Sequence, residues 1–190
     1  MCGIAGIVHF GQNGKAHDLV ISMTNALTHR GPDAYGYYQD ESISMGHRRL
    51  SIIDLDERSN QPFTDYTGRY VVSFNGEIYN YQAIKSKLNS YPFTTHSDTE
   101  VLVAAFFTWG IDCLSQLEGI FAFSIWDKQT QTLWLVRDRL GVKPLYLLKH
   151  NDCIGFSSEI RSFIHSGLLV PTLNSKGLTH YLAFHSVSAD

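Results

Sequence analysis

The sequence predicts an α+β fold built on antiparallel sheets. Strand-like runs at 119–127 and 132–138 are joined by the polar turn KQTQ, and the runs at 143–150 and 153–159 flank Asn151-Asp152, as hairpins do. Helical periodicity comes in separate blocks and does not alternate with every strand, which argues against a parallel doubly wound sheet. The composition, 44% hydrophobic, 17% charged and 13% aromatic over 190 residues, is that of a globular chain able to bury a sizeable core.

Taken in order, residues 3–10 (GIAGIVHF) run apolar and alternate, as a buried strand does. Residues 17–29 place Leu19, Met23, Ala26 and Leu27 near helical spacing, and RGPD at 30–33 breaks that helix. SISMGHRRLSIID (42–54) and RYVVSFNGEI (69–78) read as strands, and YNYQAIKSKLNS (79–90) as a short helix. Ser97 followed by Glu100 forms a capping box ahead of an apolar run, which predicts a helix over 98–109. A last helix is expected within 174–185.

The net charge is -3 and no Lys/Arg run occurs, so no nucleic-acid partner is expected. The longest apolar stretch, 101–111, is too short to span a bilayer, and no basic and apolar leader opens the chain. A cytoplasmic location away from the membrane is expected. The three cysteines are scattered without a C-x-x-C, so Cys113 and Cys153 are expected to be buried thiols. The nine histidines are scattered too, and no metal site is expected.

Several residues could carry chemistry. If Met1 is removed, Cys2 holds a thiol and a free α-amine on one residue, and the amine can take the thiol proton. Alone, Cys2 would read as a small apolar residue opening a strand. Asn75-Gly76 closes an apolar strand, where a side-chain amide and a backbone N–H can stabilise an oxyanion. Alone, the pair would read as a turn. Arg48 and Arg49 are adjacent in a strand-like run, so alternation turns one of them inward, where its planar fork suits a carboxylate. Asp98 at a helix start, and Glu77, could receive an ammonium, although complementing the helix dipole would by itself account for Asp98. An arginine and two acids together describe a site for an α-amino acid.

MCGIAGI, HRGPDAYG, GHRRLSIIDL, QPF, FNGEIYNY, SDTEVL, LEGIFAFSIWD, RDRLGVKPLYL and SSEI occur in this order along the chain. Together they resemble the class II glutamine amidotransferases, and within them the N-terminal glutaminase domain of glutamine-hydrolysing asparagine synthetases. The resemblance covers essentially the whole chain. It implies an N-terminal-nucleophile hydrolase fold, a four-layer αββα sandwich of two stacked antiparallel sheets flanked by helices. It implies that Cys2 attacks the glutamine side-chain amide, with Asn75 and Gly76 as the oxyanion hole. Arg49 would hold the glutamine α-carboxylate, with the 50–53 segment (Leu50, Ser51, Ile52 and Ile53) lining the pocket. Glu77 and Asp98 would hold the α-ammonium. HRGPD and RDRLGVKP are read as structural.

The resemblance further implies that residues 1–190 are one amidotransferase domain and that about 170–190 lead into a synthetase domain missing from this chain. The adenylate-forming signature S-G-G-x-D-S does not occur, so no cofactor is expected here, and ATP and magnesium belong only with that missing domain. The implied partners are glutamine and the synthetase domain that receives ammonia for asparagine formation; a homodimer is left open. Two alternatives stand beside this reading: amidation of another carboxylate, such as a sugar acid, or a non-catalytic amino-acid-binding domain that keeps Met1.

Overall fold

A computed structural model describes residues 1–9, 15–150 and 152–186. Among the described residues nine strands pair, antiparallel throughout. They are β1 (Gly3–His9), β2 (Ala34–Gln39), β3 (Ile43–Arg49), β4 (Phe63–Thr64), β5 (Tyr70–Ile78), β6 (Gly119–Asp127), β7 (Thr132–Arg137), β8 (Tyr146–His150) and β9 (Cys153–Ser157). One sheet has the order β2-β3-β1-β9-β8 and the other β4-β5-β6-β7. The helices are α1 (Ala16–Asn25), α2 (Tyr81–Lys85), α3 (Asp98–Trp109), α4 (Ile160–His165) and α5 (Ser175–Phe184).

Three apolar clusters define the layers. Ala5 and Ile7 of β1 pack under α1 and α4 with Val20, Met23, Leu27 and Phe163. Val72 and Phe74 of β5 and Phe123 of β6 pack against Val101, Leu102 and Ala105 of α3. Between the sheets lie Ile43, Met45, Val71, Trp126 and Phe156. The result is the four-layer helix–sheet–sheet–helix sandwich that the resemblance implied. Gly6 leaves room for the ring of Phe156, its partner on the neighbouring strand β9, to lie over β1, because a Cβ there would sit 2.3 Å from that ring. Trp126 is fully buried and its Nε1 donates to Asp40 Oδ2 at 2.6 Å, so the ring fills space without an orphaned donor.

Most expected elements form, with instructive differences. The 98–109 helix has the expected bounds, and Ser97 Oγ accepts from Glu100 N–H at 3.2 Å. The return half of the capping box is absent. The Glu100 carboxylate instead accepts from Thr94 N–H and Thr95 N–H at 2.9 and 2.6 Å, bracing the loop before the helix. α1 ends at Asn25 rather than His29, and α2 stops at Lys85. The strand expected over 42–54 ends at Arg49, because the next residues turn to other partners. Leu50 N–H points to Cys2 Sγ, Ser51 N–H is taken by Asp33 Oδ2 at 2.8 Å, and Asp54 adopts φ 55°. β2, β4 and α4 were not anticipated. β2 reads AYGYYQ, with no aliphatic residue beyond Ala34 to mark it, and it lies at a sheet edge. Phe10 and Asn151, which the expected first strand and final hairpin included, lie outside the described residues.

Candidate active site

Alternation along two strands aims the site. In β3, Ser44, Gly46 and Arg48 face α1: a Cβ on Gly46 would meet Thr24, and Arg48 Nε donates to the Thr24 carbonyl at 3.2 Å. Ile43, Met45, His47 and Arg49 therefore face the second sheet. Of the two arginines, Arg49 is the inward one, 5% exposed. In β5, Val71 lies in the inter-sheet cluster, so Ser73 and Asn75 share its face.

Cys2 stands in phase with Ile4 and Gly6 and is half-buried at the end of β1. Its backbone is held from two sides. Arg30 Nε donates to the Cys2 carbonyl at 2.9 Å while Arg30 Nη1 pairs with Glu159 Oε1 at 2.9 Å, and Ile4 N–H donates to Ser158 Oγ at 3.0 Å. Leu50 N–H lies 3.4 Å from the Cys2 sulfur. Burial pushes the Cys2 thiol up, while the Leu50 N–H, the chain amine and Arg49 act the other way. The resting group is therefore a thiol that needs a base. The Met1 amine beside it is held below its ordinary value, by burial first and then by Arg30 and Lys143.

The expected oxyanion donors, Asn75 and Gly76, sit on an open edge of β5. β4 pairs only with Val71 and Val72, so beyond them that edge has no strand partner among the described residues. Side chains cap it: Phe74 N–H donates to Gln61 Oε1 at 2.6 Å and Ile78 N–H to Asp98 Oδ2 at 3.2 Å. By the two-residue ladder period, Gly76 N–H points the same way from between them, and no side chain among the described residues accepts from it. Asn75 Nδ2 is buried and makes no hydrogen bond to a protein group. Two adjacent donors thus face one cavity. Gly76 is required on packing grounds, because a Cβ there would lie 2.4 Å from the Ile120 carbonyl oxygen and 2.7 Å from Phe121 Cα on β6.

The residues expected to clamp an amino acid, Arg49 and Asp98, stand at the other end. Arg49 Nη1 donates to the Asp56 carbonyl at 3.0 Å and to Asn60 Oδ1 at 2.8 Å, and Nη2 donates to the Asp54 carbonyl. All three acceptors are neutral, so no carboxylate neutralises the guanidinium within its hydrogen bonds. Asp98 is buried, and that burial pushes its carboxyl up to about 6, against the Ile78 N–H and the helix-start N–H groups; Glu77 adds a like charge.

One cavity collects Cys2, Arg49, Leu50, Ile52, Ile53, Asn75, Gly76, Glu77 and Asp98. Ser51, expected in the lining, is not there: its N–H is tied to Asp33. Met1, Ser59, Gln61, Ser97, Thr99 and Lys143 also line the cavity and were not expected in its lining. Gln61 was visible only as part of QPF. Its Nε2 donates to Thr99 Oγ1 at 3.1 Å while its Oε1 holds β5. Lys143 comes from RDRLGVKP, whose Asp138 accepts from Val142 and Lys143 N–H at 2.9 and 3.0 Å and so places the lysine. Cys113 and Cys153 are buried and unpaired, as expected. Among the described residues no helix is long and apolar enough to cross a membrane.

The family described as "Glutamine amidotransferase domain" matches residues 1–190. The chain belongs to the glutamine amidotransferase domain family. Among curated relatives of this amidotransferase domain, asparagine synthetase [glutamine-hydrolyzing] 1 of Bacillus subtilis is 38% identical over 192 residues, covering 98% of this chain and 30% of that protein. Amidase chry2 of Gibberella zeae is 39% identical over 181 residues, covering 88% of this chain and 27% of that protein. The chain thus spans about a third or less of the length of these relatives. The solved structure of glutamine phosphoribosylpyrophosphate amidotransferase from B. subtilis superposes with a TM-score of 0.73 at 23% identity, covering 87% of this chain and 44% of that one. That likeness shows the same fold.

Proposed function

We propose that this amidotransferase domain hydrolyses the side-chain amide of glutamine through a Cys2 glutamyl-thioester. The observation that carries the reading is the convergence on one cavity of the Cys2 sulfur, an unpartnered Asn75 amide, the free Gly76 N–H, Arg49 and Asp98. Removal of Met1, which is half-exposed, frees the Cys2 α-amine as the base. The amine takes the thiol proton and the thiolate adds to the amide carbon. Asn75 Nδ2 and Gly76 N–H hold the oxyanion. Collapse expels ammonia, which carries the proton from the amine. Water, activated by the same amine, then attacks the thioester and releases glutamate. Arg49 grips the α-carboxylate, with Ile52 and Ile53 as the wall, while Asp98 and Glu77 hold the α-ammonium.

The ammonia serves a synthetase domain outside this chain. With asparagine synthetases among the relatives, aspartate is the proposed acceptor, activated there with ATP and magnesium. Because the domain is as similar to a relative not named as an asparagine synthetase, another carboxylate acceptor is the second reading. The test is intact mass before and after 6-diazo-5-oxo-norleucine. We expect loss of one methionine and a single adduct on Cys2. Cys2→Ala should take no adduct and hydrolyse no glutamine while still binding it. Undiminished hydrolysis in that variant would overturn the mechanism.

A further inference from the structure

β3 and β5 face each other across the interior, and His47 joins them. His47 Nε2 lies 3.0 Å from the Phe74 carbonyl oxygen, and the residue is fully buried. A carbonyl only accepts, so Nε2 carries the proton. Burial holds the ring's affinity for a second proton down at about 4; the Phe74 carbonyl opposes this and the Arg49 charge reinforces it. The ring is therefore neutral at neutral pH. Its Nδ1 makes no hydrogen bond to a protein group. The inter-sheet layer is apolar around Trp126 and Phe156, and it turns polar toward Cys2, where Ser73 and Ser124 stand opposite one another in the β5–β6 register, both fully buried.

Phe74 immediately precedes Asn75. The open edge of β5 is held there by three side chains: Gln61 on the Phe74 N–H, Asp98 on the Ile78 N–H, and His47 on the Phe74 carbonyl. Of these, only His47 comes from the opposite sheet, on the strand that bears Arg49 and pairs with β1 behind Cys2. We infer that His47 is a positioning residue of the glutamine site, its Nε2–H fixing the Asn75–Gly76 segment relative to the strand that carries the nucleophile. This rests on the glutaminase reading. His47 touches no reacting atom; it sets the distance between the sulfur and the oxyanion donors, where small displacements cost rate.

The test compares His47→Met, of similar bulk but without a donor, with His47→Gln, whose amide N–H can reach the same carbonyl. Losing an oxyanion donor outright costs about 10²–10³ in kcat. Displacing the pair in His47→Met should lower kcat by about 10- to 100-fold. The glutamine KM should stay within about threefold, because Arg49 and Asp98 are undisturbed. His47→Gln should recover most of the loss in kcat. If the unmutated protein neither hydrolyses glutamine nor takes the diazo-ketone on Cys2, the glutaminase reading falls and takes this inference with it. If it does both and His47→Met turns over equally fast, or His47→Gln is no better than His47→Met, the inference alone falls. Nitrogen-15 NMR of the unmutated protein tests it without kinetics. A neutral Nε2–H ring at pH 7 is required, and a charged or Nδ1–H ring overturns it even if His47→Met does not fold.

Discussion

Asp98→Asn separates binding from stability with opposite signs. Asp98 is 5% exposed, and burial raises its carboxyl from 3.8 to about 6. The folded state therefore holds this proton more tightly than the unfolded chain does. The stability that the protonated group contributes is present in full below about 3.8 and is lost as the pH rises through about 6. At about 1.4 kcal/mol per pH unit, the ionised carboxylate leaves the empty site about 3 kcal/mol less stable at pH 8. Asparagine keeps an oxygen for the Ile78 N–H, 3.2 Å away, and removes the charge. Asp98→Asn should thus stabilise the ligand-free protein at pH 8 by up to about 3 kcal/mol, about 6–12 °C in Tm, and change little near pH 4. The same substitution removes the partner proposed for the glutamine ammonium. A charge-assisted hydrogen bond worth about 1.5–3 kcal/mol predicts a KM raised about 10- to 150-fold. In the unmutated protein, KM should rise as the pH falls below about 6. Thermal unfolding at pH 4 and pH 8, together with glutaminase kinetics across that range, reads both effects. An Asp98→Asn protein less stable at pH 8 with an unchanged KM would refute the reasoning and leave Asp98 as a helix-start carboxylate that merely ties down β5.

Arg49→Ala should raise the glutamine Kd by about 10- to 150-fold through loss of the charge-assisted contact to the α-carboxylate. Arg49→Lys should recover only part of this, since it restores the charge without the planar fork; isothermal titration of the Cys2→Ala background with glutamine measures both, and unchanged affinity would remove Arg49 from the clamp. Asn75→Ala should lower kcat by about 10²–10³ while leaving KM nearly unchanged, because the amide meets the oxyanion and not the ground-state substrate. Steady-state kinetics decide, and a KM effect without a kcat effect would make Asn75 a substrate contact.

Much of the fold was legible where local signals and burial agreed. The α3 bounds follow from Ser97 and Glu100, and β6 has the bounds that its apolar run suggests. Edges were harder. β2 has tyrosines around a glycine in place of an aliphatic pattern, and β4 is two residues long. β3 ends where Asp33 and Cys2 capture the next backbone groups, and both partners are remote in sequence. Cys2, Arg49, Asn75, Gly76, Glu77 and Asp98, expected from the motifs, line one cavity. Gln61, Thr99 and Lys143 also stand in those motifs but were not assigned to the site, because the loop before β4, the first turn of α3 and the loop after β7 meet at the cavity only in the fold.

Residue types and their order along the chain were enough to name a candidate nucleophile that can carry its own base, a candidate pair of oxyanion donors and an inward arginine. That much is local chemistry and strand alternation. The sequence left open which of Arg48 and Arg49 faces inward, and the packing of β3 under α1 decides for Arg49. It also could not show that Gly76 N–H lies on an open strand edge between two capped neighbours, or that Asp98 is buried deeply enough to hold its proton to about 6. Those properties belong to distances between residues far apart in the chain, and only the stacking of the two sheets sets them.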